Sequence, residues 1–390
     1  MNILYFTQIF YPALFGGGEY IFYQWAVDLA KKGHEVHVIT QNLDGTKSYE
    51  NHKGVHIYRV GSTLNLTGTL PIGIVPNLTF LVESFFKGIL VSRKNKINVI
   101  HSNTYVPVIS AQLCSSLLQI PHIATVHDVY KTSQKDFWKT WSGQAGVSKS
   151  MGFLGPLMER LVTKMPVATF HTVSEKSKQD MELLGVSKIL VIPNGINPDD
   201  YQTSTTTKKN QAIFVGRLVF YKNLDVVINA FSKIIEKIPD ARLIIVGNGP
   251  QKNHLEKLAE SLGLKNNIFF TGIISDAEKI HLISESQVLL NPSLIEGFGI
   301  VVLEGFACGK PVITSDSKPL SDLVRDSVDG YIVPATDINF WADKIIDLLS
   351  DDAKCAKMGQ AGKQKVLSHY SISKLSDNMI QLYQSVNSIK

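Results

Sequence analysis

The chain alternates short runs of valine, isoleucine and leucine with longer segments whose apolar residues recur at helical spacing. Runs of this kind lie at residues 3–7, 35–40, 55–60, 99–102, 122–127, 168–173 and 189–192, and then at 212–215, 242–246, 268–270, 288–290, 311–314 and 331–333. Continuous apolar runs are typical of strands buried on both faces, and helices between them allow parallel pairing. The pattern therefore predicts an α/β fold built on parallel sheets.

The strands fall into two sets, and 390 residues are too many for one ordinary core. Residues 199–210 are polar and without periodicity, which predicts a linker between the sets. We expect Rossmann-like domains at 1–204 and 205–370 that face each other across a cleft, with ligands at the carboxyl ends of the strands. Residues 371–390 predict an amphipathic helix with apolar positions at Leu375, Met379, Leu382, Tyr383 and Val386.

The charge of the chain is concentrated in its first half. Net charge is +5, and residues 47–165 hold 13 Lys and Arg against 5 Asp and Glu, whereas residues 201–390 hold 21 against 20. No nucleic-acid motif accompanies the basic stretch, so an anionic acceptor or an anionic membrane surface fits it better than nucleic acid.

The compartment is predicted from cysteine usage and from the start of the chain. Cys114, Cys308 and Cys355 are odd in number and lack the spacing of metal ligands, which favours a reducing cytosol. The first residues lead directly into a strand, with neither the basic region nor the cleavage site of a signal peptide, so a cytoplasmic location is expected.

Two glutamates eight residues apart, Glu296 and Glu304, follow the apolar run at 288–290. Glycines in the loop between them allow close approach of the backbone to a ligand, and the helix predicted from Ile300 directs unpaired N–H groups at it. One molecule could then be held by a carboxylate at each end and by amides around a diphosphate, as a sugar nucleotide requires. The alternative is that two surface glutamates flank an ordinary strand–helix turn.

A wider pattern favours the ligand site. Residues 291–314, with Ser293, Glu296 to Gly299, Glu304, Ala307 and Gly309-x-Pro311 in register, resemble the signature of the retaining GT-B glycosyltransferases called family 4, which use nucleotide-sugar donors. By this resemblance Glu296 contacts hydroxyls of the transferred sugar and Glu304 those of the ribose. Further donor contacts are implied for Gly297, Phe298, Gly299 and Ile300.

Arg217 and Lys222 follow the first strand of the second set, in a stretch that resembles the family's Gly-Arg-Leu…Lys-Asn motif. Two cations five residues apart at a strand end can reach one diphosphate and neutralise the charge that develops on the leaving group. A solvated basic loop is the alternative. By the resemblance both residues hold the donor diphosphate.

Three other positions, all glycine or apolar, belong to the predicted site. Gly249 and Ile273 lie in turns that line the nucleotide pocket in similar enzymes, although the glycines at 247 and 249 are also compatible with a plain tight turn. Gly17 belongs to a run of three glycines after the first strand, whose amides can approach a phosphate or an acceptor hydroxyl. Gly18 stands where the family has an apolar residue, which predicts a mobile loop.

His127 ends another strand of the first domain, in a position that resembles the family's active-site histidine. We expect it to bind and polarise the donor sugar, because no separate general base is evident. A purely structural histidine is the alternative.

No Asp-x-Asp sequence and no metal-like cluster of His and Cys occurs, so no metal or other cofactor is expected.

The resemblance implies transfer of a hexose to an acceptor hydroxyl with retention, in synthesis of cell-surface polysaccharide or glycolipid. The departing phosphate oxygen would accept the proton of the acceptor. A nucleotide-sugar epimerase of the same architecture and an inactive sugar-nucleotide-binding protein are the alternatives.

For the acceptor side, the sequence indicates only the charge and the aromatic content of the surface. Residues 131–164 interleave basic residues with Phe137, Trp138, Trp141 and Phe153, a composition that can lie at a membrane interface or form an acceptor loop with packing aromatics. Residues 78–93 are apolar at helical spacing. The uncharged stretch between Arg59 and Glu83 is interrupted by glycines, Pro71 and Pro76, so no transmembrane helix is predicted. A peripheral position on the inner face of the cell membrane is therefore expected, with a glycan or lipid-linked acceptor.

Overall fold

Two sheets, one in each half of the chain, form the framework of the structure. The computed structural model describes residues 1–14, 16–64, 73–133, 137–144, 151–201 and 206–388. The chain divides into two compact units. The first comprises Met1–Thr140, Val147–Asn194 and Ile372–Lys390, and the second comprises Trp141–Gly146 and Gly195–Ser371.

The first sheet has eight strands in the order β3-β4-β2-β1-β5-β6-β7-β8. They are β1 (Asn2–Phe6), β2 (Glu35–Leu43), β3 (Tyr49–His52), β4 (Val55–Leu64), β5 (Val99–Asn103), β6 (His122–Thr125), β7 (Thr169–Thr172) and β8 (Ile189–Val191). The helices of this part of the chain are α1 (Gly17–Lys31), α2 (Ile74–Asn95), α3 (Tyr105–Leu118), α4 (Tyr130–Ser133), α5 (Phe137–Gln144), α6 (Met151–Thr163) and α7 (Glu175–Glu182). Strand β3 pairs antiparallel with β4, and the other pairings are parallel.

The second sheet has six parallel strands in the order β11-β10-β9-β12-β13-β14. They are β9 (Gln211–Val215), β10 (Arg242–Val246), β11 (Ile268–Gly272), β12 (Val288–Asn291), β13 (Val312–Ser315) and β14 (Gly330–Val333). The helices are α8 (Leu224–Lys237), α9 (Lys252–Ser261), α10 (Asp276–Glu285), α11 (Ile300–Ala307), α12 (Leu320–Leu323), α13 (Ile338–Leu349) and α14 (Asp352–His369), with 3₁₀ turns at Pro198–Tyr201 and Phe220–Lys222.

The fold class predicted from the sequence is confirmed. Each predicted run overlaps a strand, and β3 is the strand that the pattern did not predict. Helix α8 illustrates why the helices cover the sheets: Leu224, Val227, Phe231 and Ile234 are buried at a spacing of three and four residues, which places them on one face.

The last helix, α15 (Ile372–Asn387), belongs to the first unit. All five of its predicted apolar positions are buried, and it packs on α1. Its Tyr383 hydroxyl lies 2.8 Å from that of Tyr5 and 2.7 Å from Nδ1 of His101, so a buried polar network anchors the helix to β1 and β5.

The division between the units lies after Asn194, before the predicted boundary at 204. The backbone N–H of Ile196 donates to the carbonyl of Tyr370, and Tyr201 is buried. Residues 195–201, which include the first residues of the predicted linker, therefore fold with the second unit.

Helix α2 begins at Ile74, and Pro76 lies in its first turn, where proline is tolerated because the first N–H groups of a helix have no partner within the helix. Among the helices that the structure describes, α2 alone is long and apolar enough to cross a membrane. It packs on β4 and α3, and a Cβ on its Gly88 would lie 2.6 Å from the Phe6 ring. Helix α2 is therefore packed closely against the first sheet.

Candidate active site

The chain order of the second sheet creates a switch point between β9 and β12. From β9 the chain proceeds outward through β10 and β11, and it then returns to place β12 on the other side of β9. Crevices at the carboxyl ends of strands at such a point are the usual ligand sites of open α/β sheets. Lys222 follows β9 and Glu296 follows β12, so the sheet order brings two predicted residues together.

Glu296 forms an ion pair with Lys222. Its Oε1 also accepts a hydrogen bond from the Ser293 hydroxyl at 3.1 Å. Both charged side chains are largely buried, which strengthens their attraction relative to a pair in water. The carboxylate and the ammonium predicted to serve one ligand therefore neutralise each other in this structure.

The loop that carries Glu296 is held by hydroxyl groups of β13 and the residues after it. The carbonyl of Ser293 accepts hydrogen bonds from Ser315 and Ser317, both at 2.5 Å. The backbone N–H of Leu294 donates to the carbonyl of Tyr221 at 2.8 Å, which ties this loop to the one that follows β9. The backbone just before Glu296 is thus held from both sides.

Arg217 lies at the start of the same β9 loop and is exposed. Its guanidinium donates to the hydroxyl of Tyr221 at 3.0 Å, and the Lys222 ammonium lies 5.7 Å from the centre of the Tyr221 ring. Tyr221 is buried, so it is a fixed support for both cations.

Glu304 is buried in α11, and its carboxylate is held by two residues that the sequence analysis did not identify. Oε1 accepts from Lys279 at 2.9 Å and from Tyr201 at 3.0 Å, and Lys279 also contacts Asp276 at 2.9 Å. Burial alone would lower the pKa of Lys279, but the charges and hydrogen bonds of Glu304 and Asp276 outweigh it and raise that pKa. Glu304 is therefore paired with a firmly protonated lysine.

Gly299 precedes α11 with φ 98°, a conformation that favours glycine. A Cβ there would lie 2.6 Å from a methyl group of Leu320. Phe298 is buried, and its ring centre lies 6.1 Å from that of Tyr370. The backbone at 297–300 thus turns sharply into the helix, and the first N–H groups of α11 lie at the carboxyl edge of the sheet.

The turns at Gly249 and Ile273 lie at the ends of β10 and β11. A Cβ on Gly249 would come within 2.3 Å of the Leu218 carbonyl oxygen, so this glycine is required for the β10 and β9 loops to pack together. The Gly247 N–H donates to the Gly272 carbonyl at 2.9 Å, and Ile273 beyond it is exposed. The glycines at 247 and 249 therefore form a tight turn, in which Gly249 packs on Leu218, the residue after Arg217.

In the first unit, His127 follows β6, and its Nε2 lies 2.9 Å from Oδ1 of Asn103 at the end of β5. An amide oxygen only accepts, so Nε2 carries the proton. Burial, with a smaller contribution from His171, lowers the pKa of His127 to about 3. The imidazole is therefore neutral near pH 7, with the lone pair on Nδ1.

Gly17 and Gly18 form the first turn of α1. A Cβ on Gly18 would lie 3.1 Å from the His127 ring, tighter than ordinary van der Waals contact. The apolar residue that the family has at this position would press on the imidazole in this structure. Gly18 thus permits a close approach of α1 to His127. The mobility of the loop stays a prediction.

Two family models match this chain. Residues 15–200 match the family model described as Glycosyltransferase Family 4, and residues 197–365 match that of Glycosyl transferases group 1. This chain is a group 1 glycosyltransferase of the GT-B fold. The epimerase alternative is thereby set aside.

Relatives of this glycosyltransferase include the O-antigen chain mannosyltransferase C of Escherichia coli, with 23% identity over 99% of both chains. The phosphatidyl-myo-inositol mannosyltransferase of Mycobacterium leprae is 29% identical over 62% of this chain and 63% of its own. A crystal structure of HepE from Anabaena in complex with UDP-glucose superposes with a TM-score of 0.75 at 17% identity, and covers 99% of this chain and 100% of that one.

Sequence reasoning missed Asn103, Tyr201 and Lys279 in this glycosyltransferase. Asn103 had a usable signal, since it is a polar residue directly after a buried run at 99–102. Tyr201 lay in a segment predicted as linker, and Lys279 lies on a helix with no distinctive pattern. Among the described residues, no group of three His, Cys, Asp or Glu is arranged to hold a metal ion.

Proposed function

We propose that this glycosyltransferase transfers a hexose from a nucleoside diphosphate sugar to an acceptor hydroxyl with retention of configuration. The observation that carries the proposal is the pairing of Lys222 with Glu296 at the switch point of the second sheet. A site with a cation for phosphate and a carboxylate for hydroxyls suits a ligand that has both groups.

The donor binds along the carboxyl edge of the second sheet in this proposal. Arg217, Lys222 and the first amides of α11 bind the diphosphate, and Glu304 accepts hydrogen bonds from the ribose. The nucleotide lies against the turns at Gly249 and Ile273. Lys222 exchanges the Glu296 carboxylate for phosphate, and the freed carboxylate accepts hydrogen bonds from the sugar.

The reaction breaks the bond between the anomeric carbon and the phosphate oxygen, and forms a bond from that carbon to the acceptor oxygen on the same face. The departing phosphate oxygen takes the proton of the acceptor hydroxyl, so atoms and charges balance without a separate base. Arg217 and Lys222 stabilise the negative charge that develops on that oxygen. Neutral His127 contributes a hydrogen-bond acceptor for the donor sugar, and the α1 start at Gly17 serves the acceptor side.

UDP-glucose in the related HepE structure supports a UDP-sugar as the first donor to examine. Relatives that build O-antigen chains and mannosylate phosphatidyl-myo-inositol support a glycan or lipid-linked acceptor in cell-surface polysaccharide or glycolipid synthesis. We place the protein in the cytoplasm, peripherally on the inner face of the cell membrane, because residues 47–165 are strongly basic. No metal is required in this proposal.

Thermal-shift screening against UDP-, GDP- and ADP-sugars tests the donor. A ligand at one hundred times its Kd stabilises the folded state by about 2.7 kcal/mol. Lys222→Ala should abolish the shift, whereas Lys233→Ala, on the exposed side of α8, should retain it. NMR of the anomeric proton in the product then reports retention or inversion.

No shift with any of the three donor classes would refute the donor site. A shift without transfer to any acceptor extract would instead support the catalytically inactive sugar-nucleotide-binding protein.

A further inference from the structure

Three neighbouring helices of the first unit present apolar side chains to solvent. Helix α2 packs against α3, and α3 packs against α6. Large apolar residues on them are between 43% and 76% exposed in the complete chain, namely Leu78, Val82, Phe86 and Leu90 of α2, Leu113 and Leu117 of α3, and Phe153, Leu157 and Leu161 of α6. We call these nine residues the outer apolar face.

On each helix the exposed residues recur every four positions, so they form one ladder along it. Helix α2 is therefore apolar on two sides, because Phe80 and Val91 are buried against the body of the unit. A helix of this kind ordinarily has a second apolar neighbour. Exposed apolar surfaces of this extent mark interaction sites in soluble proteins.

The two charges in the middle of α2 lie off this face. Glu83 accepts a hydrogen bond from the Gly61 N–H at 2.7 Å, and the Lys87 ammonium lies 6.0 Å from the centre of the Tyr58 ring. Gly61 and Tyr58 belong to β4, so both charges are directed toward that strand. Helix α3 contains no charged residue. The ladders of α2 and α3 are thus free of charge along their length.

Basic residues border the ladders. Residues 73–118 and 151–164 contain six Lys and Arg but two acidic residues, Glu83 and Glu159. Glu159 is buried and bonded to the Tyr105 hydroxyl at 3.1 Å. The exposed cations at the helix ends are Arg93, Lys94, Lys96, Arg160 and Lys164.

We propose that the outer apolar face inserts into the surface of an anionic lipid bilayer. Apolar ladders with a basic border match a membrane interface, where side chains enter the acyl region and cations meet phosphate headgroups. A second copy of this chain fits poorly, since a symmetric contact would bring the two basic borders together. The inference rests on the proposed peripheral location, but not on the proposed transfer reaction.

The experiment uses the full chain and vesicles of phosphatidylcholine with or without phosphatidylglycerol. The double variant F86S/L90S should bind the anionic vesicles at least about tenfold more weakly than wild type, because it removes two of the inserted side chains. Leu367→Ser, which changes an exposed leucine of α14 in the second unit, should bind like wild type. Reversal of Arg93 and Lys94 to Glu should weaken binding and remove most of its salt dependence.

Three results would overturn the proposal. The first is vesicle binding that is unchanged in F86S/L90S but is lost when Lys131, Lys135 and Lys139 are changed to Glu. That result would assign the membrane contact to residues 131–164. The second is no vesicle binding by the wild type together with a dimer, seen by sedimentation, that F86S/L90S dissociates. The third is a wild type that is monomeric and ignores vesicles. Donor thermal shifts in the same variants report separately on the transferase site.

Discussion

At the residue scale, the two glutamates of the α11 segment have different surroundings. Glu296 lies in a loop and is paired with Lys222, whereas Glu304 is buried and fixed by Lys279 and Tyr201. A group that must exchange partners during the reaction suits the loop position. A group whose contacts with ribose barely change during the reaction suits the fixed one.

We therefore expect Glu296→Ala mainly to lower kcat and Glu304→Ala mainly to weaken donor binding. Loss of a charged hydrogen bond costs about 1.5–3 kcal/mol, which is roughly a ten- to hundredfold change. Initial-rate kinetics separate the two effects, with Glu278→Ala on exposed α10 as the control. Kinetics like those of the wild type in both variants would remove these glutamates from the site.

Asn103 is expected to set the protonation of His127. In the Asn103→Asp variant a carboxylate faces Nε2, which should raise the pKa of His127 from about 3 toward the neutral range. An NMR titration of the labelled imidazole measures this directly, and kcat of the variant should acquire a new dependence on pH between about 5 and 7. An unchanged imidazole titration would show that Asn103 does not control this histidine.

At the element scale, one chain of hydrogen bonds joins α15 to β5, β6 and β7 and to the residue after β8. The His171 Nε2 donates to the Ile192 carbonyl, and its Nδ1 then accepts from Thr125. Thr125 in turn accepts from Nε2 of His101, whose Nδ1 accepts from Tyr383. Every donor meets an acceptor only while both histidines are neutral.

Acid should therefore destabilise the first unit before the second. Burial lowers the pKa of His122 to about 3 and of His171 to about 4, and it lowers that of His101 well below its ordinary value. These histidines take up protons more readily when unfolded, so stability is retained above about pH 6.5 and is lost as pH falls toward 4. The three histidines of the second unit, His254, His281 and His369, are exposed.

Hydrogen exchange at pH 4.5 and pH 7 measures this difference. Amides of β5, β6 and β7 should lose protection at the lower pH, while those of β9, β10 and β12 keep it. Equal loss in both units would contradict the assignment to the buried histidines. His369→Gln provides a control that should not alter the profile.

At the scale of the whole molecule, activity should persist in a chelator. The sequence contains no Asp-x-Asp, and Arg217 and Lys222 are proposed to neutralise the leaving group in place of a metal ion. Transfer rates with and without EDTA test this. Activity that disappears in EDTA and returns with magnesium or manganese would show that the two cations are insufficient.

The pattern of apolar runs was enough to predict both parallel sheets, because strands buried on two faces require continuous apolar sequence. It missed β3, whose residues Tyr49–His52 are polar and form an edge hairpin with β4. A strand at an edge needs no buried face, so its pairing depends on the neighbouring strand and not on its own sequence.

Most of the candidate site was also predicted from the sequence, since Arg217, Lys222, Glu296 and Glu304 lie in two short motifs. The partners that hold them could not be predicted. Tyr201 is 103 residues from Glu304 along the chain, and Lys222 is 74 residues from Glu296. Such pairs depend on strand order, which follows from how the crossovers pack.

The amino-acid sequence by itself determined the fold class and the family and predicted the candidate site residues, because periodicity and short motifs are local properties of a chain. Only the tertiary structure decided that Glu296 is neutralised by Lys222, that Asn103 fixes the proton of His127, and that the apolar ladders of α2, α3 and α6 are exposed. Helical spacing shows that a helix has an apolar side, but which side meets the core depends on the elements packed around it.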